Sequence, residues 1–291
     1  MVQALRTPDD RFHGLPGWPY APFYHRRTDG LRLHYVDSGP RKAARTWLCL
    51  HGQPTWSYLY RRMMPTFAMA GHRVIAPDFA GFGRSDKLVD DKAYKFDFHR
   101  RSLINLIEAL DLRNIALVVQ DWGGLIGLTL PMAMPDRFEA LLVMNTTLGT
   151  GDEPLSPGFL DWRDFSNRSP DMDIARLMKR ACPHISDEEA AAYAAPYPDA
   201  SFKAGVRTFP NLVPDRPERA RRRRVAPGAR LLAHPMDGQE PDGGGHEGPG
   251  AGAFGDAVPA CPHQELPAAD GDRRGRTFPA GVGRHPRAKG C

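Results

Sequence analysis

Val118-Val119-Gln120-Asp121-Trp122-Gly123-Gly124 (VVQDWGG) decides how the rest of this chain is read. An apolar run, a polar residue at its end and paired glycines where a helix would open describe a strand, a sharp turn and a closely packed helix. That is the layout of a nucleophile elbow, a turn that lifts one side chain above a sheet. The apex is usually Ser; here it is Asp121. A carboxylate nucleophile implies an ester-type covalent intermediate. A plainer role is open to the same residue, because Asp is also a good helix N-cap.

Outward from the elbow, short β-rich runs alternate with amphipathic stretches, the pattern of an α/β sheet. Thr46 to Leu50 (TWLCL) reads as a buried strand. It runs into His51-Gly52-Gln53-Pro54-Thr55-Trp56, the place where α/β-hydrolases put the loop that lends a backbone N–H to the oxyanion hole. The amides of Gln53 and Trp122 are the two candidate donors, and His51 reads as a turn histidine outside the catalytic set. Further strands are expected at Leu31 to Val36, as an antiparallel edge, at Val74 to Pro77, at Asn114 to Gln120 and at Phe138 to Asn145. Helices are expected over 57–70, 100–112 and 123–134. The loop from Asp78 to Asp86 holds a GxG, but Asp86 stands at the third glycine of a dinucleotide fingerprint, so it reads as a structural turn. After Asn145 come Pro- and Gly-rich connections with helices near Ile174 to Ala181 and from Ser186, an N-cap followed by Asp187, Glu188 and Glu189. This stretch is expected to be a helical lid over the strand ends.

The 291 residues, 41% hydrophobic and 25% charged, suit a soluble globular chain. The sequence has no apolar run long enough to span a membrane and no basic-then-apolar leader, so a cytoplasmic protein is expected. Cys49, Cys182, Cys261 and Cys291 are widely spaced, which suggests neither a disulfide framework nor a zinc site. A net charge of +5 raises the question of nucleic acid, and its distribution answers it. Residues 216–291 carry 13 Lys and Arg against 9 Asp and Glu, so the surplus sits there. The same 76 residues hold 14 Gly and 10 Pro with eight Val, Leu or Phe and no Ile, Tyr or Trp. That is the composition of low-complexity or disordered sequence, not of a core layer. The expected division is an N-terminal core part at 1–146, a helical cap at 147–215 and an anomalous tail at 216–291.

HGQPTW, the loop from Asp78 to Lys87, VVQDWGG, GFLDW, MKRACP, AAYAAPYPD and KAGVRTFPNLVPD together resemble the haloalkane dehalogenases, in the branch with a tryptophan pair for halide. The resemblance runs from about Arg6 to Pro217. It implies an α/β-hydrolase fold with a helical cap, Asp121 as nucleophile, Trp122 and Trp162 as halide-binding indoles, and the backbone N–H groups of Gln53 and Trp122 as oxyanion donors. Gln53 replaces the Glu or Asn of some relatives, a mild departure since only its backbone is needed. Without the resemblance Trp162 reads as a core tryptophan. Neither cofactor nor metal is implied; the partners are a small halogenated alkane, water and a halide ion, with no nucleic acid or membrane, acting on a monomer. Two same-fold alternatives are an epoxide hydrolase, for which Tyr193 or Tyr197 would be the cap acid, and a haloacid dehalogenase. A third is a catalytically inactive product.

The family's general base and its acid belong after the cap, where this chain has its tail. His234, His246, His263 and His285 lie in no strand-end pattern, so neither base nor acid is identifiable. The tail reads as an out-of-frame translation. A one-base shift permits DFWRTPWT from 230–238, MKDPVLGP from 246–254 and REWGD from 280–285. These resemble, in order, the family's post-cap helix, its acid-bearing loop and the segment after its histidine.

Overall fold

A computed structural model describes residues 3–216. The tail from 217 onward, with its four histidines and its three frame-shifted strings, lies outside the described residues.

In chain order the elements are β1 (Ala4–Leu5), β2 (Phe23–Arg26), β3 (Arg32–Ser38), β4 (Thr46–Leu50), α1 (Met64–Met69), β5 (Arg73–Pro77), β6 (Lys87–Leu88), α2 (Phe96–Ala109), β7 (Ile115–Gln120), α3 (Trp122–Gly127), α4 (Leu130–Ala133) and β8 (Phe138–Met144), followed by α5 (Pro157–Arg168), α6 (Ile174–Ala181), α7 (Asp187–Ala194) and α8 (Ala204–Thr208). Six strands make one mixed sheet in the order β2-β3-β5-β4-β7-β8. The β2-β3-β5 ladders are antiparallel, and β4 pairs in parallel with both β5 and β7, as β7 does with β8. β1 and β6 form a separate antiparallel pair.

β7 is buried along its whole length, which its sequence IALVVQ allows because both faces of a central parallel strand are covered. Leu117 and Val119 enter a large core with α2 residues Leu103, Leu106 and Ile107; Val118 enters a smaller one with Cys49, Tyr60, Met64 and Val74. Alternation along one strand thus feeds two apolar layers.

Several expectations need correction. The strand expected at 31–36 is β3, and it is not the edge: β2 pairs outside it. The helix expected over 57–70 is broken into a 3-10 turn at Ser57–Tyr60 and α1, because Pro65 lacks the N–H that a helix interior needs and is tolerated only in a first turn. Pro131 likewise splits the helix expected over 123–134 into α3 and α4. Helix α5 was not foreseen, although Ser156 caps it by accepting from the Phe159 N–H at 3.2 Å and Pro157 occupies its first turn. Helix α7 carries the full capping box between Ser186 and Glu189.

From β8 to Arg216 the described chain is helical and without strands. Its core-facing residues, among them Phe159, Ile174, Met178, Tyr193, Val206 and Phe209, join the same apolar cluster as the sheet face that α2 covers. No helix among the described residues is long and apolar enough to cross a membrane.

Candidate active site

The site is built where β7 turns into α3. Asp121 has φ 55° and ψ −127°, a conformation that L-residues rarely adopt and that surrounding structure must hold in place. Two close approaches hold it. A Cβ on Gly123 would lie 2.0 Å from the Leu50 carbonyl oxygen, so only glycine lets α3 pass the end of β4. From the other side, the Thr146 hydroxyl donates to the Asp121 carbonyl at 2.6 Å.

Although Asp121 stands at the N-cap position of α3, its side chain makes no cap hydrogen bond. It turns instead to the loop after β4, where the Gln53 N–H donates to its Oδ1 at 2.7 Å. Asp121 is half-buried, and desolvation of its carboxyl pushes its pKa up to about 7; the backbone N–H groups of Trp122 and Gln53 pull the other way without cancelling the shift. Gly52 permits this contact, since a Cβ there would fall 2.2 Å from the same oxygen.

The loop carrying Gln53 is clamped by the helical segment above it. Gln53 Nε2 donates to the Val206 carbonyl at 3.0 Å, Trp56 Nε1 to the Ala192 carbonyl at 3.2 Å and the Tyr197 hydroxyl to the Pro54 carbonyl at 3.1 Å. Each pair is more than 130 residues apart, which is why no local pattern announces the clamp.

The two candidate indoles differ. Trp122 is buried, and its Nε1–H donates to the Phe209 carbonyl at 2.9 Å. Trp162, partly buried on α5, has a buried Nε1–H with no hydrogen-bond partner. Phe159, one turn before Trp162 on α5, has its ring 6.3 Å from that of Trp122. Such an orphan donor in apolar surroundings costs free energy and marks a place where an acceptor is wanted.

None of the described histidines hydrogen-bonds to the Asp121 carboxylate. His51 accepts the Phe79 N–H at Nε2 (3.0 Å) and donates from Nδ1 to the Gly52 carbonyl (2.8 Å); burial lowers its pKa and keeps it neutral. This is a histidine locking a turn. His34 Nδ1 pairs with the Asp78 carboxylate at 2.7 Å. His99, boxed in by the rings of Phe79, Tyr94, Phe98 and Phe209, has both nitrogens unpartnered and a pKa lowered to about 3 by burial. The GxG loop wraps around Asp78, whose carboxylate also accepts from the Ser57 N–H at 2.7 Å and the Arg84 N–H at 2.8 Å, and no helix opens there. A cavity of about 610 Å³ between Tyr20, Arg61, Arg62 and Glu189 does not include Asp121. No group of three or more His, Cys, Asp or Glu among the described residues could hold a metal ion.

Residues 47–167 match the family model described as alpha/beta hydrolase fold. The chain is 46% identical over 222 residues to a haloalkane dehalogenase of Psychrobacter cryohalolentis, covering 75% of this chain and 73% of that one. It is 44% identical over 222 residues to haloalkane dehalogenase 1 of Mycobacterium tuberculosis, covering 75% and 74%. This chain belongs to the haloalkane dehalogenase family. Among solved structures, the tetrameric haloalkane dehalogenase DpaA of Paraglaciecola agarilytica superposes with a TM-score of 0.77 at 45% identity, over 82% of this chain and 81% of that one. The mixed sheet and helices are therefore those of the α/β-hydrolase fold, and hydrolytic dehalogenation is the reaction at family level.

The raised pKa of this carboxyl has a consequence for stability. An acid whose folded pKa is about 7 against an ordinary 3.8 binds its proton more tightly when folded, so its contribution is whole below pH about 4 and is lost as pH rises through 7. Asp121→Asn keeps an oxygen for the Gln53 N–H and carries no charge. Its melting temperature is expected to exceed that of the parent by more at pH 8 than at pH 4, measured by calorimetry; an equal difference at both pH values would contradict the buried-charge account.

Proposed function

We propose that Asp121 is the nucleophile of a haloalkane dehalogenase that hydrolyses haloalkanes to a primary alcohol and halide, with residues 147–215 as the cap over it. An Asp121 carboxylate oxygen attacks the halogen-bearing sp3 carbon in line; the O–C bond forms as the C–halogen bond breaks, and the halide departs with the bonding electrons. Water then adds to the ester carbonyl, and the oxyanion that develops is met by the backbone N–H groups of Gln53 and Trp122. The observation that carries the reading is the Gln53 N–H already 2.7 Å from Asp121 Oδ1 at a strained strand-to-helix turn.

The leaving halide needs donors in a dry place. Trp162 brings an N–H with no other partner, and Trp122 brings one that would exchange the Phe209 carbonyl for the anion. Two neutral donors suit a weakly hydrated anion in an apolar pocket. The epoxide-hydrolase alternative asks for free acidic phenols, and the candidates are tied down: the Tyr193 hydroxyl lies 3.0 Å from Arg61 Nη1, and the Tyr197 hydroxyl donates to Pro54.

Ester hydrolysis also needs a base that takes a proton from water. With no described histidine on Asp121, the base and its acid belong to sequence replaced from about codon 218 by a shifted frame. Resequencing the gene is expected to reveal an indel near that codon relative to an open frame encoding the shifted strings; an uninterrupted frame with no compensating indel overturns this part.

Nucleophilic attack should then stand apart from turnover. Incubated with 1-bromobutane, the chain is expected to gain one butyl group on the peptide containing Asp121 by mass spectrometry, faster at pH 8 than at pH 6 because the carboxylate is the reacting form. Asp121→Asn is expected to gain none. A folded chain that stays unmodified, or an adduct elsewhere, would sink the assignment.

A further inference from the structure

The sheet ends on β8, and β8 lacks the surroundings its sequence suits. FEALLVM is the near-continuous apolar run of a parallel strand covered on both faces. Yet among the described residues no strand pairs with its outer edge, and Leu141, Leu142 and Val143 are 41%, 37% and 48% exposed. The register on β7 sorts these side chains by face. Leu141 and Val143 stand beside Leu117 and Val119, and Leu142 beside Val118. Leu117 and Val119 belong to one apolar cluster and Val118 to the other, so both layers run out to this edge and stop uncovered. An apolar edge that no described strand pairs is a template for another strand.

The rest of the chain is poorly suited to fill it. The 75 residues after Arg216 have only two stretches longer than four residues free of Gly and Pro. ERARRRRVA would press five arginines against leucines, and ARLLAH is shorter than β8 and offers two large apolar side chains. Pro and Gly are excluded from, or weaken, a strand in that position. A second β8 has none of these defects.

We propose that two copies of this chain associate through β8, antiparallel across a two-fold axis, so that the two six-stranded sheets become one. The side-chain period of two selects a register. Self-pairing Leu142 sets Leu141 opposite Val143 of the second copy, Ala140 opposite Met144 and Glu139 opposite Asn145, so apolar residues meet throughout the centre. Self-pairing Leu141 instead would bury Glu139 against Val143, a carboxylate that already has Arg45 as its ion-pair partner. The first register continues both apolar layers across the axis. This interface makes no use of Asp121 and replaces the monomer expected from sequence.

Sedimentation velocity on the full chain at micromolar concentration is expected to give a dimer. Leu142→Lys should sediment as a monomer, while Met69→Lys, at a residue 81% exposed on α1, should stay dimeric. With Cys261 and Cys291 replaced by Ser, Leu142→Cys is expected to form a covalent dimer on mild oxidation, and Leu141→Cys several-fold less, because only residue 142 meets itself across the axis. The cysteine variants hold even if the lysine variant folds poorly. A monomeric parent, an assembly that survives Leu142→Lys, or equal crosslinking at 141 and 142 would each overturn the proposal.

Discussion

The hydrogen bond from the Gln53 N–H to Asp121 is the contact on which the rest of this site depends. It joins the loop after β4 to the turn after β7, and it exists only because those strands are parallel neighbours in register from Thr46 with Ile115 to Leu50 with Val119. Close packing of α3 against β4 requires Gly123, and access of the Asp121 carboxyl to the loop requires Gly52. The turn is therefore held by close backbone packing together with the Thr146 hydroxyl on the Asp121 carbonyl, which is what a strained conformation needs. The cost is a carboxyl kept in protein surroundings with its pKa raised to about 7.

The helical segment does two jobs from one set of contacts. Gln53, Trp56 and Tyr197 tie it to the loop that carries the Gln53 N–H, and the Phe209 carbonyl occupies the Trp122 indole. Arg61, buried between Tyr58 and Tyr193 and paired with Glu189 of α7 at 2.5 Å, fastens the same segment to the region after β4. The two indoles named in the proposal differ accordingly: the Trp122 N–H is held by a backbone carbonyl, and the buried Trp162 N–H has no hydrogen-bond partner.

Much of this was legible locally. β4, β7 and α6 are apolar runs or periodic stretches bounded by turn residues, and their limits could be read to within a residue. Pro65 and Pro131 mark the helix breaks, although the flanking apolar spacing suits a continuous helix. β2, FYHR, is a short edge strand with one solvent-facing Arg and no pattern to mark it. Asp121 was legible as the elbow's apex, since strand, polar residue and glycines are contiguous; whether its side chain capped α3 or faced Gln53 was not, because that depends on a residue 68 positions away. The Phe209 carbonyl on Trp122 is beyond reach for the same reason, and nothing in FEALLVM says that its outer edge has no partner among the described residues.

On the proposed reading, with Asp121 as nucleophile and no described histidine beside it, the first half of the family's reaction separates from the second. Counting bromide released per folded chain from excess 1-bromobutane, followed in time at pH 8, tests this most directly. The account predicts a burst approaching one bromide per chain and then no further release. Sustained release over many equivalents would show that a working base is present, and absence of any burst from folded protein would show that Asp121 is not the nucleophile.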